Sequence, residues 1–169
     1  GDKKLESTGL GNLADLLQSQ PNRLGEARQL AEEALQIAQT LDPNAAEIWK
    51  IYELLAQITA KQGDTTQARH YRRLSQQAYA AFPGARYWLQ QLEDFIAGVV
   101  MAVTSPPNPL SSEEREIREA LEAYLDRYSQ RGWANLAQAI RRILAGERDG
   151  DALYEALHYQ EAAIVREIL

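Results

Sequence analysis

Two stretches between Pro43 and Pro83 carry the clearest pattern of polar and apolar positions in the chain. From residue 48 to residue 60, polar residues recur at spacings of three and four, and nearly every other position is apolar or small. That spacing is typical of a helix with one narrow polar stripe, whose other sides must be covered by protein. The pattern therefore predicts a largely buried helix.

The second stretch predicts a helix that begins after Gly63 and ends at Pro83. Asp64 or Thr65 is expected to cap its first amides, and Pro83 stops it. Small residues at the crossing let two antiparallel helices approach closely. The positions predicted to face inward are Ala68, Tyr71, Leu74, Ser75, Ala78, Tyr79 and Phe82, and Gln76 is among those predicted to face outward.

The same pattern of two helices occurs earlier in the chain. Leu13-Ala14 corresponds to Leu55-Ala56, and a second apolar helical face follows between residues 27 and 41. Self-similarity with a period of about 41 residues is typical of helical solenoids. The sequence therefore predicts stacked helix pairs.

The remaining segments divide the chain into three parts. Residues 87–103 read as one apolar helix without a partner of its own, so the C-terminal helices are expected to cover it. We predict helical repeats over residues 8–103, a proline-rich linker at 104–110, and a helical cap or bundle at 111–169. Residues 1–7 are polar and are expected to fray.

Composition supports an all-α class and narrows the function. Residues that favour helices dominate the long stretches between prolines and glycines, and runs of β-branched residues are almost absent. A net charge of −6 argues against general nucleic-acid binding, and the chain has no cysteine for a thiolate metal site. The longest apolar run, Phe95–Val103, is far shorter than the roughly 20 residues of a membrane span. We expect a cytoplasmic protein without membrane contact, and an excerpt of a longer chain because Gly1 is not methionine.

No pattern in the sequence indicates an enzyme, a cofactor site or a metal site. Gly9–Ala14 fits the letters of a dinucleotide fingerprint, but no strand precedes it, so Gly11 and Ala14 read as small packing residues. His158 and Glu161 are three residues apart and lack a third ligand, which favours an ordinary surface or interface histidine. We therefore predict no catalytic residue, no cofactor and no metal.

The helix pair over residues 43–83 resembles the tetratricopeptide repeat (TPR). Two features depart from the family's pattern: Arg72 stands where the family prefers an aromatic residue, and the second helix extends about one turn further than the family's before Pro83. The resemblance implies antiparallel helix-pair repeats in a short TPR-like superhelix, with about two and a half units. The residues at the family's spacing are Tyr52, Leu55, Ala56, Gly63, Asp64 and Ala68.

The resemblance also implies a function and a surface. Helices of this kind bind a partner peptide or helix in a groove lined by first-helix residues between the packing positions. The chain is thus expected to be a non-catalytic protein–protein interaction scaffold within a larger protein or assembly. In addition, residues 132–169 resemble the tails that follow such repeats in large bacterial multidomain proteins. The expected groove residues are Asp15, Gln18, Lys50, Glu53, Gln57, Lys61, Gln90 and Glu93.

Three other interpretations stay open. A regulatory domain would hold a small ligand in an apolar pocket near Trp88, Phe95 and Trp133, between the repeats and the C-terminal helices. A dimerisation module would pair residues 87–103 of two chains as a homodimer. A basic cluster would bind an acidic peptide or a phosphate group, although runs of charged residues are more often the solvent-exposed face of a helix. The members of this cluster are Arg69, Arg72, Arg73 and Arg86.

Overall fold

The computed structural model describes residues 2–42, 46–104 and 111–169, with the backbone alone at residues 113 and 114. Within these ranges the regular structure is helical and no residue lies in a β-strand, which confirms the all-α prediction. The predicted linker falls almost wholly outside the described residues.

The chain divides by its internal contacts into two compact units, Gly1–Pro83 and Gly84–Leu169. The sequence instead grouped residues 84–103 with the preceding repeats. The difference has a physical cause: the apolar side chains of these residues pack on the C-terminal helices. Each unit has a hydrophobic core of its own.

The first unit consists of two helical hairpins. The first two helices pack on each other, as do the second two, and the first and second helices also contact the third. The short connection at Gly63-Asp64 supports the tight turn of the second hairpin, because Gly63 has a φ of +83° that a glycine adopts without strain. The helices are α1 (Lys3–Leu17), α2 (Leu24–Ala38), α3 (Ile48–Lys61) and α4 (Thr65–Ala81).

The N-terminal residues do not fray as the sequence predicted. Helix α1 already begins at Lys3, because the Asp2 carboxylate accepts hydrogen bonds from the amides of Lys4 and Leu5 at 3.0 and 3.4 Å. Ser7 is buried and its hydroxyl donates to the Ala34 carbonyl at 2.9 Å. The Asp2 cap and the buried Ser7 thus stabilise helical structure in residues whose polar composition predicted fraying.

The crossing of α3 and α4 is built from small residues, as predicted. Ala56, Ala68 and Ser75 are all buried, and the Asp64 side chain caps α4 by accepting from the Gln67 amide at 3.0 Å. One expectation is wrong: Gln76, predicted to face outward, is only 7% exposed. The α3–α4 hairpin therefore buries a wider face of α4 than its apolar residues alone indicate.

Aromatic rings close the far end of this hairpin. The indole of Trp49 lies 4.4 Å from the ring of Phe82 and 5.7 Å from that of Tyr79, as measured between ring centroids. Edge-on and tilted pairs at these distances are favourable beyond their buried area. The cluster places Phe82, the last residue before α5, firmly against α3.

The second unit contains shorter helices around a separate core. The predicted single helix over 87–103 is interrupted at Gln91 and Leu92, neither of which is a glycine or proline that would account for the break. A kinked segment, Ser129–Trp133, joins the third and fourth helices of this unit, and Gly132 within it has a non-helical φ of +94°. The helices are α5 (Pro83–Gln90), α6 (Glu93–Thr104), α7 (Ser112–Tyr128), α8 (Ala134–Leu144), α9 (Gly150–Tyr154) and α10 (Tyr159–Ile168).

The C-terminal helices cover the apolar face of residues 87–103, which confirms that expectation. Val99 and Ala102 of α6 are buried in one core with Leu125 of α7 and Ile140 of α8. The ring of Phe95 lies 5.2 Å from that of Tyr124, between centroids. Residues 84–103 thus complete the core of the second unit.

Candidate partner-binding surface

Four of the eight predicted groove residues meet where α1 crosses α3. The amide nitrogen Nε2 of Gln18 donates to Asp15 Oδ1 at 2.6 Å and to Gln57 Oε1 at 3.2 Å. The ammonium of Lys61 donates to the backbone carbonyl of Gln18 at 3.2 Å and to its Oε1 at 3.0 Å. We call these four residues, Asp15, Gln18, Gln57 and Lys61, the α1–α3 face.

Helix geometry explains why these side chains converge. Asp15 and Gln18 are three residues apart on α1, and Gln57 and Lys61 are four apart on α3, so each pair shares one side of its helix. The apolar neighbours Leu17 and Ile58 lie in the core beneath. Packing of α1 on α3 therefore lines up two polar stripes that the sequence places on separate helices.

Gln18 is the centre of the network and its buried member. It is only 8% exposed, and both its amide nitrogen and its amide oxygen have partners. A satisfied buried amide favours one side-chain conformation, because losing a partner there would cost the desolvation of a polar group. Asp15, Gln57 and Lys61 are exposed, and each forms a hydrogen bond with this buried amide.

The α1–α3 face presents donors and acceptors of both charges. The Lys61 ammonium has three N–H groups, and the Asp15 carboxylate accepts several hydrogen bonds. Gln18 contacts both groups, so it bridges opposite charges. Such an arrangement suits the alternating N–H and C=O groups of a peptide better than it suits a single strong anion.

The other predicted residues of α3 lie outside this network or at its edge. Lys50 is exposed and its ammonium pairs with Glu47 Oε2 at 2.7 Å. Glu47 precedes the helix with a φ of +46°, the left-handed region. Glu53 is half-buried on α3. The structure thus joins Gln57 and Lys61 to α1, while Lys50 makes a local surface pair.

The two candidates from the predicted third repeat belong to the second unit. Gln90 is the last residue of α5 and Glu93 the first of α6, and both are exposed. The break between these helices places them at two helix ends, not on one continuous stripe. Of the basic cluster, Arg69, Arg72 and Arg73 lie on α4 and Arg86 lies in the second unit.

A cavity that was only partly foreseen lies within the second unit. It has a volume of about 210 Å³ and is partly open. Three lining residues, Trp88, Phe95 and Trp133, are those of the small-ligand hypothesis, although that hypothesis placed the pocket between the repeats and the C-terminal helices. The lining residues that the sequence did not indicate are Leu92, Tyr128, Arg131 and Ile164.

The residues weighed for nucleotide or metal chemistry have structural positions instead. Gly9 and Gly11 lie inside α1, and a Cβ at either would meet no atom within 4 Å, so the proposed packing role of Gly11 is wrong. His158 caps α10: its Nδ1 accepts from the Gln160 amide at 3.1 Å, and Glu161 Oε2 accepts from the His158 amide at 3.0 Å. The described residues include no group of three or more acidic or histidine side chains placed to hold a metal ion.

In the described parts of the chain, no helix combines the length and the apolar content that crossing a membrane requires. Comparison of the chain with protein-family models, with curated proteins and with solved structures gives no match.

Proposed function

We propose that this chain is a non-catalytic interaction module whose TPR-like helical hairpins bind an extended peptide or a helix of a partner protein. The observation that carries the proposal is the α1–α3 face. Its four residues come from the two helices that the repeat resemblance assigns to the groove, and hydrogen bonds join them across the two hairpins. The partner would lie across both helices.

Rigidity supports a binding role for this face. Binding is weakened by the entropy lost when loose side chains are ordered, so groups that are already fixed bind at lower cost. Gln18 holds the polar groups of both helices in place before a partner arrives. The rows of small buried residues beneath the face keep the helices close together.

The chemistry of the face favours a peptide recognised along its backbone. With Asp15 and Lys61 both contacting Gln18, the face lacks the concentration of positive charge that gripping a terminal carboxylate requires. Many modest hydrogen bonds to an extended segment would supply the affinity, whereas a helix, whose backbone groups are bonded internally, would have to bind through its side chains.

The dimer hypothesis has less support. The residues it would pair between two chains, Val99 and Ala102 among them, are buried by the helices of their own unit. Pairing this face with a second copy would require that core to open. Binding through the α1–α3 face requires no such rearrangement.

Selection of displayed random peptides on the full chain tests the proposal. Selected peptides should lose at least tenfold in affinity for the Gln57→Lys variant, because a long cation would displace the Gln18 contact and crowd the face. Fluorescence polarisation with the labelled peptide measures the affinity.

Gln36→Lys is the matched control, since Gln36 is an exposed glutamine on α2 outside the face. It should bind the selected peptides as the unmodified chain does. Peptides that bind both variants equally, or a selection that yields no specific peptide, would refute the proposed function.

A further inference from the structure

The cavity of the second unit has the size of a small organic ligand. Its volume is about 210 Å³. An engineered protein cavity of about 150 Å³ is known to bind benzene. The space is therefore sufficient for one aromatic ring with a short substituent, or for a small fused ring, and too small for a drug-sized molecule.

The cavity is lined mainly by aromatic rings, and these rings are nearly parallel in pairs. The indole planes of Trp88 and Trp133 are within 14° of parallel with centroids 6.3 Å apart. The rings of Phe95 and Tyr128 are within 8° of parallel at 5.7 Å. Flat π surfaces favour offset stacking and edge contacts with another flat ring. Hydrogen bonding with Tyr124, followed by burial, raises the pKa of Tyr128, so this wall is uncharged at neutral pH.

One cation completes the lining. Arg131 is exposed, and it forms no ion pair with any residue that the structure describes, whereas Arg141 and Arg142 in the same unit are paired with carboxylates. A guanidinium presents a planar set of donors that matches a carboxylate with two parallel hydrogen bonds. An aromatic cavity with this cation in its lining fits a ligand with a ring and an acidic group.

The local backbone places this cation beside the aromatic wall. Tyr128 ends α7, and Arg131 and Trp133 belong to the kinked segment Ser129–Trp133 that follows. Gly132 between them has a φ of +94°, a conformation that favours glycine. Three of the lining residues thus come from one irregular turn.

We propose that this cavity binds a small aromatic carboxylate, with the ring between Trp88, Phe95 and Trp133 and the carboxylate on Arg131. The site is separate from the α1–α3 face and does not depend on the proposed partner-binding function. The ligand class follows from the aromatic lining, the volume and the unpaired guanidinium.

The test uses the full chain, with phenylacetate and indole-3-acetate as probes and their neutral amides as comparisons. Indole N–H signals in two-dimensional NMR report on the site, because the chain has three tryptophans. The signals of Trp88 and Trp133 should shift saturably with a carboxylate probe. That of Trp49, which packs on Tyr79 and Phe82 in the first unit, should stay in place.

Arg131→Gln should weaken binding of the carboxylates about tenfold or more and leave that of the amides unchanged, since a charged hydrogen-bond pair is lost. Arg115→Gln is the control: Arg115 is exposed on α7, roughly 20 Å along the helix from Tyr128, and does not line the cavity. Leu92→Trp should fill the cavity and abolish binding of all four probes.

Circular dichroism and the unshifted Trp49 signal establish that each variant is folded. Absence of a saturable shift at Trp88 and Trp133 with both carboxylates would overturn the proposal. So would equal binding of acids and amides that Arg131→Gln does not change.

Discussion

At the scale of single residues, two serines tie the helices of the first unit together. The hydroxyl of Ser75 on α4 donates to the Trp49 carbonyl on α3 at 2.8 Å. Ser7 on α1 donates to the Ala34 carbonyl on α2 at 2.9 Å. Both serines are buried, so their hydroxyls need these partners. Each hairpin thus has a buried side-chain hydrogen bond between its helices in addition to apolar contacts.

Replacement of Ser75 by alanine tests the energetic weight of this bond. The Trp49 carbonyl keeps its bond within the helix, so Ser75→Ala should lower the free energy of unfolding by about 1 kcal/mol. Urea titration followed by circular dichroism measures the change. Ser19→Ala is the control, because Ser19 is exposed and bonds only locally to Leu16; an equal effect of both substitutions would contradict the role assigned to Ser75.

The residues of the α1–α3 face were singled out by the repeat resemblance, and helical spacing explains why each pair shares one side of its helix. The additional cavity residues could not be predicted. Leu92, the turn that holds Tyr128 and Arg131, and Ile164 come from three separate parts of the chain, and only the folded core brings them together. Spacing along one helix carries no information about such a set. The hydrogen bond of Ser7 was missed for the same reason.

At the scale of helices, small residues determine how closely the first unit packs. Helix α2 has a column of buried alanines, and α3 contributes Ala56, which is fully buried. Side chains without γ atoms let backbones approach, and a larger group there must displace the neighbouring helix. The alanines of the α2 column are Ala27, Ala31, Ala34 and Ala38.

Enlarging one of these residues should separate the helices. Ala56→Leu should cost about 1–3 kcal/mol of unfolding free energy through overpacking. Ala60→Leu on the same helix is the matched control, because Ala60 is exposed and the change should stay within about 0.5 kcal/mol. Thermal and urea unfolding of both variants provide the measurement. If Ala56→Leu is as stable as the control, the close crossing of α3 and α4 is refuted.

The sequence predicted the ends of α3 and α4, which particular residue types mark. Gly63, Asp64 and Pro83 separate α3, α4 and α5 as expected. The break at Gln91-Leu92 has no such marker and was missed. The correspondence of Leu13 with Leu55 also has a limit: Leu55 is fully buried, whereas Leu13 is 45% exposed although α1 packs closely on α2. Similarity between two segments of the sequence predicts which side of a helix is apolar, but it does not predict which helices pack against that side.

At the scale of the whole molecule, the chain consists of two compact units with separate cores. The sequence drew its boundary at the proline-rich stretch, the strongest local signal, whereas contacts divide the chain after Pro83. Local composition marks where a chain cannot form a helix. Which core a helix joins depends on the fit of its apolar face, as in residues 84–103.

The two proposals assign a different kind of binding to each unit. The α1–α3 face in the first unit is an ordered polar surface for a peptide, and the cavity in the second unit is an aromatic space for a small acid. The all-α fold by itself supports neither, because many functions share such scaffolds. Both proposals rest on particular side chains and are tested at those side chains.

A chemical-shift map of the full chain with a selected peptide tests the central claim most directly. Isotope-labelled protein is titrated with the peptide, and backbone and side-chain amide signals are followed. We predict that the largest shifts fall on Asp15, Gln18, Gln57 and Lys61, with Gln36 unaffected. Shifts centred on α2, on the outer side of α4 or in the second unit would contradict the account.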